Sequence, residues 1–477
     1  MATVLELQIC QLHSREYEVR VVKAAAGGEP RAPLILNVDE LLEQRPALEN
    51  WVVYSAEQTR RVIRPSEQLV RRVGSQLFDA LFSNQILGTY RASLSVAQER
   101  QESLQIILRL EPPELALLPW EALFDSQDDS YVCLREPIVR HLPASHPLNP
   151  LPAQLPLRIL VVIASPRGLP LLDTDAERAL LKEALTEQVT AGRVELEWLT
   201  DASWKSLQNR LNAGPWHVLH FIGHGDYDLN YEEGQIALVG ESGRADMVEA
   251  SRLAALITWA KPVPRLVVLN SCVSAQGGAG DGFSSSGATL VRSGINAVAA
   301  MQFSISDRAS VSFAQGFYTA LAYGRRVDDA VRSGRISMLG TSKSLEWITP
   351  VLYIRGEANL LFDLTTREKQ PNEGDQRKRQ LYIMASEELR IGHPDKAMEL
   401  LEDLLSLEPE NSEAIKLRDQ VARQLQLMKL YERAIEAEES ADWSDAIDLY
   451  GRILQQDPDY RDAATRRNFC RGRQRIT

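Results

Sequence analysis

Two stretches decide the fold: Trp216-His-Val-Leu-His-Phe-Ile-Gly-His-Gly-Asp226 and Arg265-Leu-Val-Val-Leu-Asn-Ser-Cys272. Each holds a short apolar run, Val218 to Ile222 and Leu266 to Leu269, that breaks off in small or polar residues. A buried parallel strand has this pattern when it delivers side chains to the carboxyl edge of a sheet. His224 and Cys272 are therefore expected at neighbouring strand ends.

Other segments fit the same sheet. Arg158 to Ala164 is the strongest buried-strand signal in the chain, preceded by the proline-spaced stretch Pro143, Pro147, Pro150, Pro152 and Pro156, which cannot continue a helix or join a central strand. We place a subdomain boundary there. A helix over 175–190, a strand over 194–199 and a helix over 202–213 lead into the first histidine strand, and a helix over 249–259 precedes the cysteine strand. Beyond it come a strand over 296–300, helices over 309–323 and 327–339, and a last strand over 350–354. Strands alternating with helices predict an α/β protein with a mostly parallel sheet. Upstream, alternation over 3–10 and 17–23 reads as a hairpin with one wet face, and helical spacing over 67–87 is followed by a strand over 104–110.

The chemistry suits the arrangement. A thiol with a pKa near ~8.5 is mostly protonated at neutral pH, and a nearby imidazole raises its thiolate fraction and later protonates the leaving amine. Gly223 and Gly225 flank His224, letting the chain turn sharply and bring a backbone N–H to a substrate carbonyl. Cys272 lies 48 residues after His224, close to the caspase spacing of about 50.

Gly-His-Gly after one strand and Asn-Ser-Cys after the next resemble the CHAT domain, a caspase-like cysteine peptidase of the group that includes caspases and separases. The likeness extends to Leu118-Pro119-Trp120-Glu121 and to Gly316-Phe317-Tyr318 with Ala320-Leu321 and Gly324, covering roughly residues 1–365. It implies a caspase-like sheet flanked by helices, with 1–150 a scaffold part lacking the dyad and 151–364 the catalytic part. His224 and Cys272 would be the dyad, and the backbone N–H groups of Gly225 and Cys272 the oxyanion hole.

For a basic P1 side chain the first candidate is Asp307, in a segment (Phe303 to Asp307) similar to the acidic-pocket stretch of separases; Asp226 is second and Asp281 third. Asp307 reads equally well as a helix N-cap. Gln302-Phe303 departs from the separase Leu-Trp, and Asn270 stands where metacaspases carry Asp. No cofactor or metal is expected. His217, His220 and His224 are close in sequence, but strand alternation turns His217 away from the other two, and no further ligand is spaced to complete a site. The stretch Gln276 to Gly287 reads as a mobile loop; it lacks the order of a phosphate-binding motif.

From 365 to 380 the composition turns to a charged linker, and 381–477 carries an internal repeat. Ala397 to Pro409 and Ala446 to Pro458 share an Ala-to-Pro separation of 12, with Leu401 and Tyr450 four residues after each Ala. This resembles the second helix of a tetratricopeptide (TPR) unit, at a period of 49 rather than 34, with the extra residues assigned to a helix near 413–427. Such helices either offer a groove to a protein partner or prop the catalytic unit.

A net charge of −12 argues against general nucleic-acid binding; the arginines at 466, 467, 471, 473 and 475 read as a solvated helix end. Four scattered cysteines, an N-terminus without an apolar leader and the lack of any long apolar run lead us to expect a cytoplasmic protein without membrane association. The reading is a latent cysteine endopeptidase acting on a protein substrate, activated or recruited by a protein partner through the tail. By analogy its setting is bacterial defence or programmed cell death. The rival is a non-catalytic scaffold of the same fold; a nucleotide-sensing regulator is the third reading.

Overall fold

The computed structural model describes residues 3–13, 15–56, 65–144, 149–170, 172–228, 233–270, 282–341, 344–356, 359–365, 373–409 and 411–474. Two compact units, Met1–Arg367 and Glu368–Thr477, divide the chain.

The first unit opens with β1 (Thr3–His13), β2 (Glu16–Ala24) and β3 (Arg31–Leu34), then α1 (Val38–Ala56), α2 (Pro65–Leu81) and α3 (Gln85–Glu99). Next come β4 (Leu104–Leu110), α4 (Pro113–Ala116), the small ribbon β5 (Phe124–Asp125) and β6 (Ser130–Tyr131), α5 (Val132–Arg135) and β7 (Ile138–Leu142). The expected single helix over 67–87 is two: α2 stops at Leu81, and Asn84, at φ 52°, lies in the left-handed region before α3. Helix α1 escaped the sequence reading because Pro46 and sparse buried positions blur its apolar stripe.

The chain then forms β8 (Leu151–Gln154), β9 (Leu157–Ile163), α6 (Thr174–Ala184), α7 (Thr186–Thr190), β10 (Val194–Leu199), α8 (Trp204–Asn212) and β11 (Val218–Ile222). A separate antiparallel sheet follows, β12 (Gly225–Asp228), β13 (Glu233–Val239) and β14 (Ala245–Glu249), before α9 (Ala250–Trp259) and β15 (Leu266–Asn270). The last elements are α10 (Gly282–Arg292), β16 (Ala297–Met301), α11 (Asp307–Ala322), α12 (Val327–Thr341), β17 (Pro350–Arg355) and β18 (Phe362–Thr365), which pairs β8. Within the stretch read as a mobile loop, Gly282 to Gly287 is helical in α10: a local glycine and serine count does not see that Leu290 and Val291, further along the same helix, are buried.

Eleven strands form the main sheet in the order β10-β9-β11-β15-β16-β17-β7-β4-β1-β2-β3. From β10 to β16 every pairing is parallel, and so is every pairing from β17 to β1; the blocks meet antiparallel at β16–β17. The last strand expected, over 350–354, is the one that runs antiparallel to β16. Alternation deals side chains to two cores. Ile159, Val161, Val218, Ile222, Leu266, Val268, Ala297 and Ala299 face one, shared with α6, α11 and α12. Leu160, Val162, Leu219, Phe221, Val267, Leu269, Val298 and Ala300 face the other, shared with α8, α9 and α10. Each Val, Leu or Ile so buried contributes about 1.5–3 kcal/mol relative to exposure. Both faces being covered explains why these strands read as continuous apolar runs.

The second unit is helical: α13 (Glu373–Arg390), α14 (Pro394–Leu407), α15 (Ser412–Glu439), α16 (Trp443–Gln456) and α17 (Ala463–Gln474), each packing on the next. Helix α13 begins inside the stretch read as a charged linker, which its length and polarity disguise. Ala397, Leu401, Ala446 and Tyr450 are fully buried, and α15 runs to 28 residues.

Candidate functional site

Three strand ends are stitched together where the site residues fall. Ala164 N–H donates to the Ile222 carbonyl at 2.9 Å and Gly223 N–H to the Asn270 carbonyl at 3.3 Å, joining the exits of β9, β11 and β15. Glycine at 223 permits this close approach: a Cβ would stand 2.8 Å from the Phe221 ring and 3.1 Å from the Ala164 carbonyl oxygen, so the ring would have to shift. His224 follows at once, and the chain leaving Asn270 enters Ser271-Cys272. Cys272 and Asp281 lie outside the described residues.

His224 is buried, with Nε2 at 2.8 Å from the Pro170 carbonyl oxygen. A carbonyl only accepts, so Nε2 carries the hydrogen and the neutral ring keeps its lone pair on Nδ1. Burial holds the imidazole pKa below its ordinary value, with the Pro170 bond pulling the other way. The loop presenting Pro170 is anchored: Leu172 N–H donates to Ser165 Oγ at 3.2 Å, and Arg167 N–H to the Gly243 carbonyl at 2.8 Å in the turn between β13 and β14.

The small sheet starts at the histidine. Ala237 N–H donates to the His224 carbonyl at 3.0 Å, and Gly225 faces Ile236 in register. Such a pair exchanges no bonds of its own, so the Gly225 N–H points away from β13. Tyr227 N–H, next along that outward side, is taken by Asp226 Oδ1 at 2.8 Å.

Beneath the strand ends the inner face is polar where α11 crosses it. Asn270, 3% exposed, donates from Nδ2 to Ser310 Oγ, while its Oδ1 is buried without a partner. His220 Nδ1 lies 2.7 Å from the Tyr318 hydroxyl, and complete burial pushes the imidazole down to about 3. It is a neutral core side chain throughout the physiological range. His217, at the opposite end of β11, accepts the Arg158 N–H on Nδ1 at 2.9 Å. Among the described residues no His, Cys, Asp and Glu cluster could hold a metal.

The acidic candidates divide. Asp307 is exposed in the first turn of α11, and Ser306, not Asp307, is the N-cap, its hydroxyl accepting from Ala309 N–H at 3.3 Å. Asp226 is exposed on β12. The carboxylates that touch Phe303 to Asp307 are ones the sequence did not single out. Glu346 accepts from Ser306 N–H at 2.6 Å and Ser306 Oγ at 3.1 Å; Glu49 accepts from Ser304 N–H and Oγ, both at 3.2 Å.

Leu118-Pro119-Trp120-Glu121 supplies the next support. Glu121, fully buried, pairs with Arg140 of β7 at 2.7 Å and accepts from Gln302 Nε2 at 3.0 Å; Gln302 Nε2 also reaches the Ile348 carbonyl at 2.8 Å. The departure Gln302, noted against the separase pattern, is the residue through which this network grips the segment after β16.

A mostly parallel α/β sheet covered by helices on both faces thus carries His224 just past the exit of β11, beside the exit of β15. The sequence matches the CHAT domain over residues 71–362, more than half of the chain, and the protein belongs to the CHAT domain family. No curated protein matches. Among solved structures, Saccharomyces cerevisiae separase, in its complex with securin, is similar with a TM-score of 0.44 and 12% identity, over 74% of this chain and 30% of the separase chain. The chain therefore spans less than a third of that protein's length.

Proposed function

We propose that the protein is a cysteine endopeptidase with Cys272 as nucleophile and His224 as its base. The observation that carries this is the His224–Pro170 hydrogen bond, which leaves Nδ1 to accept a proton at the end of the strand beside the one that leads to Cys272. In the proposed reaction the thiol proton passes to Nδ1 and the thiolate adds to the scissile carbonyl. As the C–N bond breaks, the imidazolium returns that proton to the leaving amine and a thioester remains. Water, deprotonated by the same imidazole, then hydrolyses the thioester and restores the thiol. The outward Gly225 N–H and that of Cys272 would hold the oxyanion. The other three thiols suit this role poorly, because burial raises the pKa of Cys10, Cys133 and Cys470.

Asp307 is the first candidate for a basic P1 side chain, being the exposed carboxylate on the segment held by Glu49, Glu346 and Gln302; Asp226 and Asp281 follow. The enzyme is proposed to be latent, with its TPR-like tail recruiting the protein that activates it or is cut, in a defence or programmed-death setting. Mass spectrometry of a peptide library with varied P1 residues, incubated with the protein and with Cys272→Ala, tests the reading. Cleavage after Arg or Lys that vanishes in the variant is expected. Cleavage after Asp would discard the Asp307 assignment, and silence that persists when candidate partner proteins are added would favour the scaffold.

A further inference from the structure

The helical unit carries a basic groove that the peptidase reading does not use. Helix α16 buries Ala446, Leu449, Tyr450 and Ile453 in a cluster shared with α15. Its other side, with α17, bounds an open groove of about 690 Å³ whose lining includes Ile447, Gly451 and Leu454. Ile447 and Leu454 are half-buried, and Gly451 between them leaves open space: a Cβ there meets nothing within 4 Å. Positions 447, 451 and 454 fall on one face of a helix, the ridge-and-gap relief that accepts another helix.

The charge of the lining is uneven. Arg452, Arg467 and Arg471 line the groove with one carboxylate, Asp448, although the chain as a whole has a net charge of −12. Neighbouring Arg466 is committed, to Glu438 at 3.1 Å and Asp462 at 2.9 Å. Among the described residues no ion pair engages Arg452, Arg467 or Arg471, and Arg467 Nε is buried without an acceptor. Guanidinium groups flanking an apolar strip are complementary to carboxylates flanking an apolar stripe.

We propose that this groove docks an acidic amphipathic helix of a partner protein, its apolar stripe on Ile447 and Leu454 and its carboxylates on Arg452, Arg467 and Arg471. The apolar strip and Asp448 favour such a helix over a nucleic acid, whose phosphates would gain nothing from either. The inference gives chemistry to the recruitment step proposed above and is independent of the peptidase chemistry.

The test uses the full chain with Cys272→Ala, so that no probe can be consumed, and fluorescence anisotropy of a labelled helical peptide with Glu and Leu on opposite faces. A matched peptide with Lys for Glu and a single-stranded uridine oligonucleotide are run beside it. Saturable binding of the acidic peptide, weakened by salt and reduced about tenfold or more by R467E/R471E, is expected. Gly451→Leu, whose Cβ would meet nothing within 4 Å, puts a branched side chain into the groove and should block binding at unchanged helicity, which covers the case in which charge reversal disturbs the fold. No saturable binding, equal binding of the Lys peptide, unchanged affinity in both variants, or tighter binding of the oligonucleotide would each overturn the proposal.

Discussion

Two histidines four residues apart, His220 and His224, have different physical lives. His224 sits at a strand end with its Nε2–H committed to Pro170 and its pKa held below 6.5. A lowered pKa keeps the ring neutral, and so able to accept a proton, to lower pH. The acid limb of kcat/KM in the peptide assay should therefore have its midpoint below 6.5; a midpoint above it would mean that the free ring is not the desolvated one described. His220, at about 3, is a stability group. Between its unfolded value of 6.5 and about 3 the unfolded chain takes up a proton that the native chain refuses, so stability falls as pH falls, by about 1.4 kcal/mol per unit. His220→Gln, which can still accept from Tyr318, should flatten that slope. Urea unfolding of both proteins at pH 7 and pH 5 should show wild type losing about 2 kcal/mol more than the variant. At this scale the flanking glycines Gly223 and Gly225 are what single out His224 in the sequence. It was silent on Pro170, because a main-chain carbonyl has no residue-type signature.

Helices α11 and α12 pack so closely that two glycines have no spare room. A Cβ on Gly316 would meet Ser337 Oγ and come 2.6 Å from the Ser333 carbonyl oxygen, and one on Gly334 would come 2.5 Å from the Phe313 ring. Gly340, in α12 as well, faces open space. Alanine gains about 1 kcal/mol of helix propensity at any of these sites. At Gly316 and Gly334 that gain competes with overpacking against backbone and a ring, about 1–3 kcal/mol or more. Denaturant titration should find Gly316→Ala and Gly334→Ala destabilised and Gly340→Ala stabilised; three equal shifts would mean the interface yields. A buried ion pair makes a harsher case. Glu121→Ala strands Arg140 beside the Ala116 and Leu118 carbonyls and should cost about 3–5 kcal/mol. Periodicity recovered the long sheet strands and α11 and α12, where one face is strongly apolar. It failed for α10, whose first turns are glycine and serine, and for β12–β14, whose short strands have half-exposed faces.

The whole chain holds two compact units with their own apolar clusters. In the first, side chains from Leu5 to Leu364 build two cores on the faces of one eleven-stranded sheet. In the second, one cluster gathers Ala385, Ala397, Leu401, Leu404, Ala414 and Val421, and another runs from Leu427 to Cys470. Each helix there packs chiefly on its sequence neighbours, so its stability is nearly a sum of nearest-neighbour terms, whereas the sheet unit is closed by strands far apart in sequence. Calorimetry of the full chain should accordingly resolve two transitions, with the lower and broader one belonging to 368–477. A chain ending at Arg367 should keep only the upper transition at an unchanged midpoint, retain any intrinsic peptide cleavage, and lose the binding of the acidic helix. If the upper midpoint falls when the helices are removed, the tail is part of the fold that supports His224, and its role is the prop rather than the recruiter.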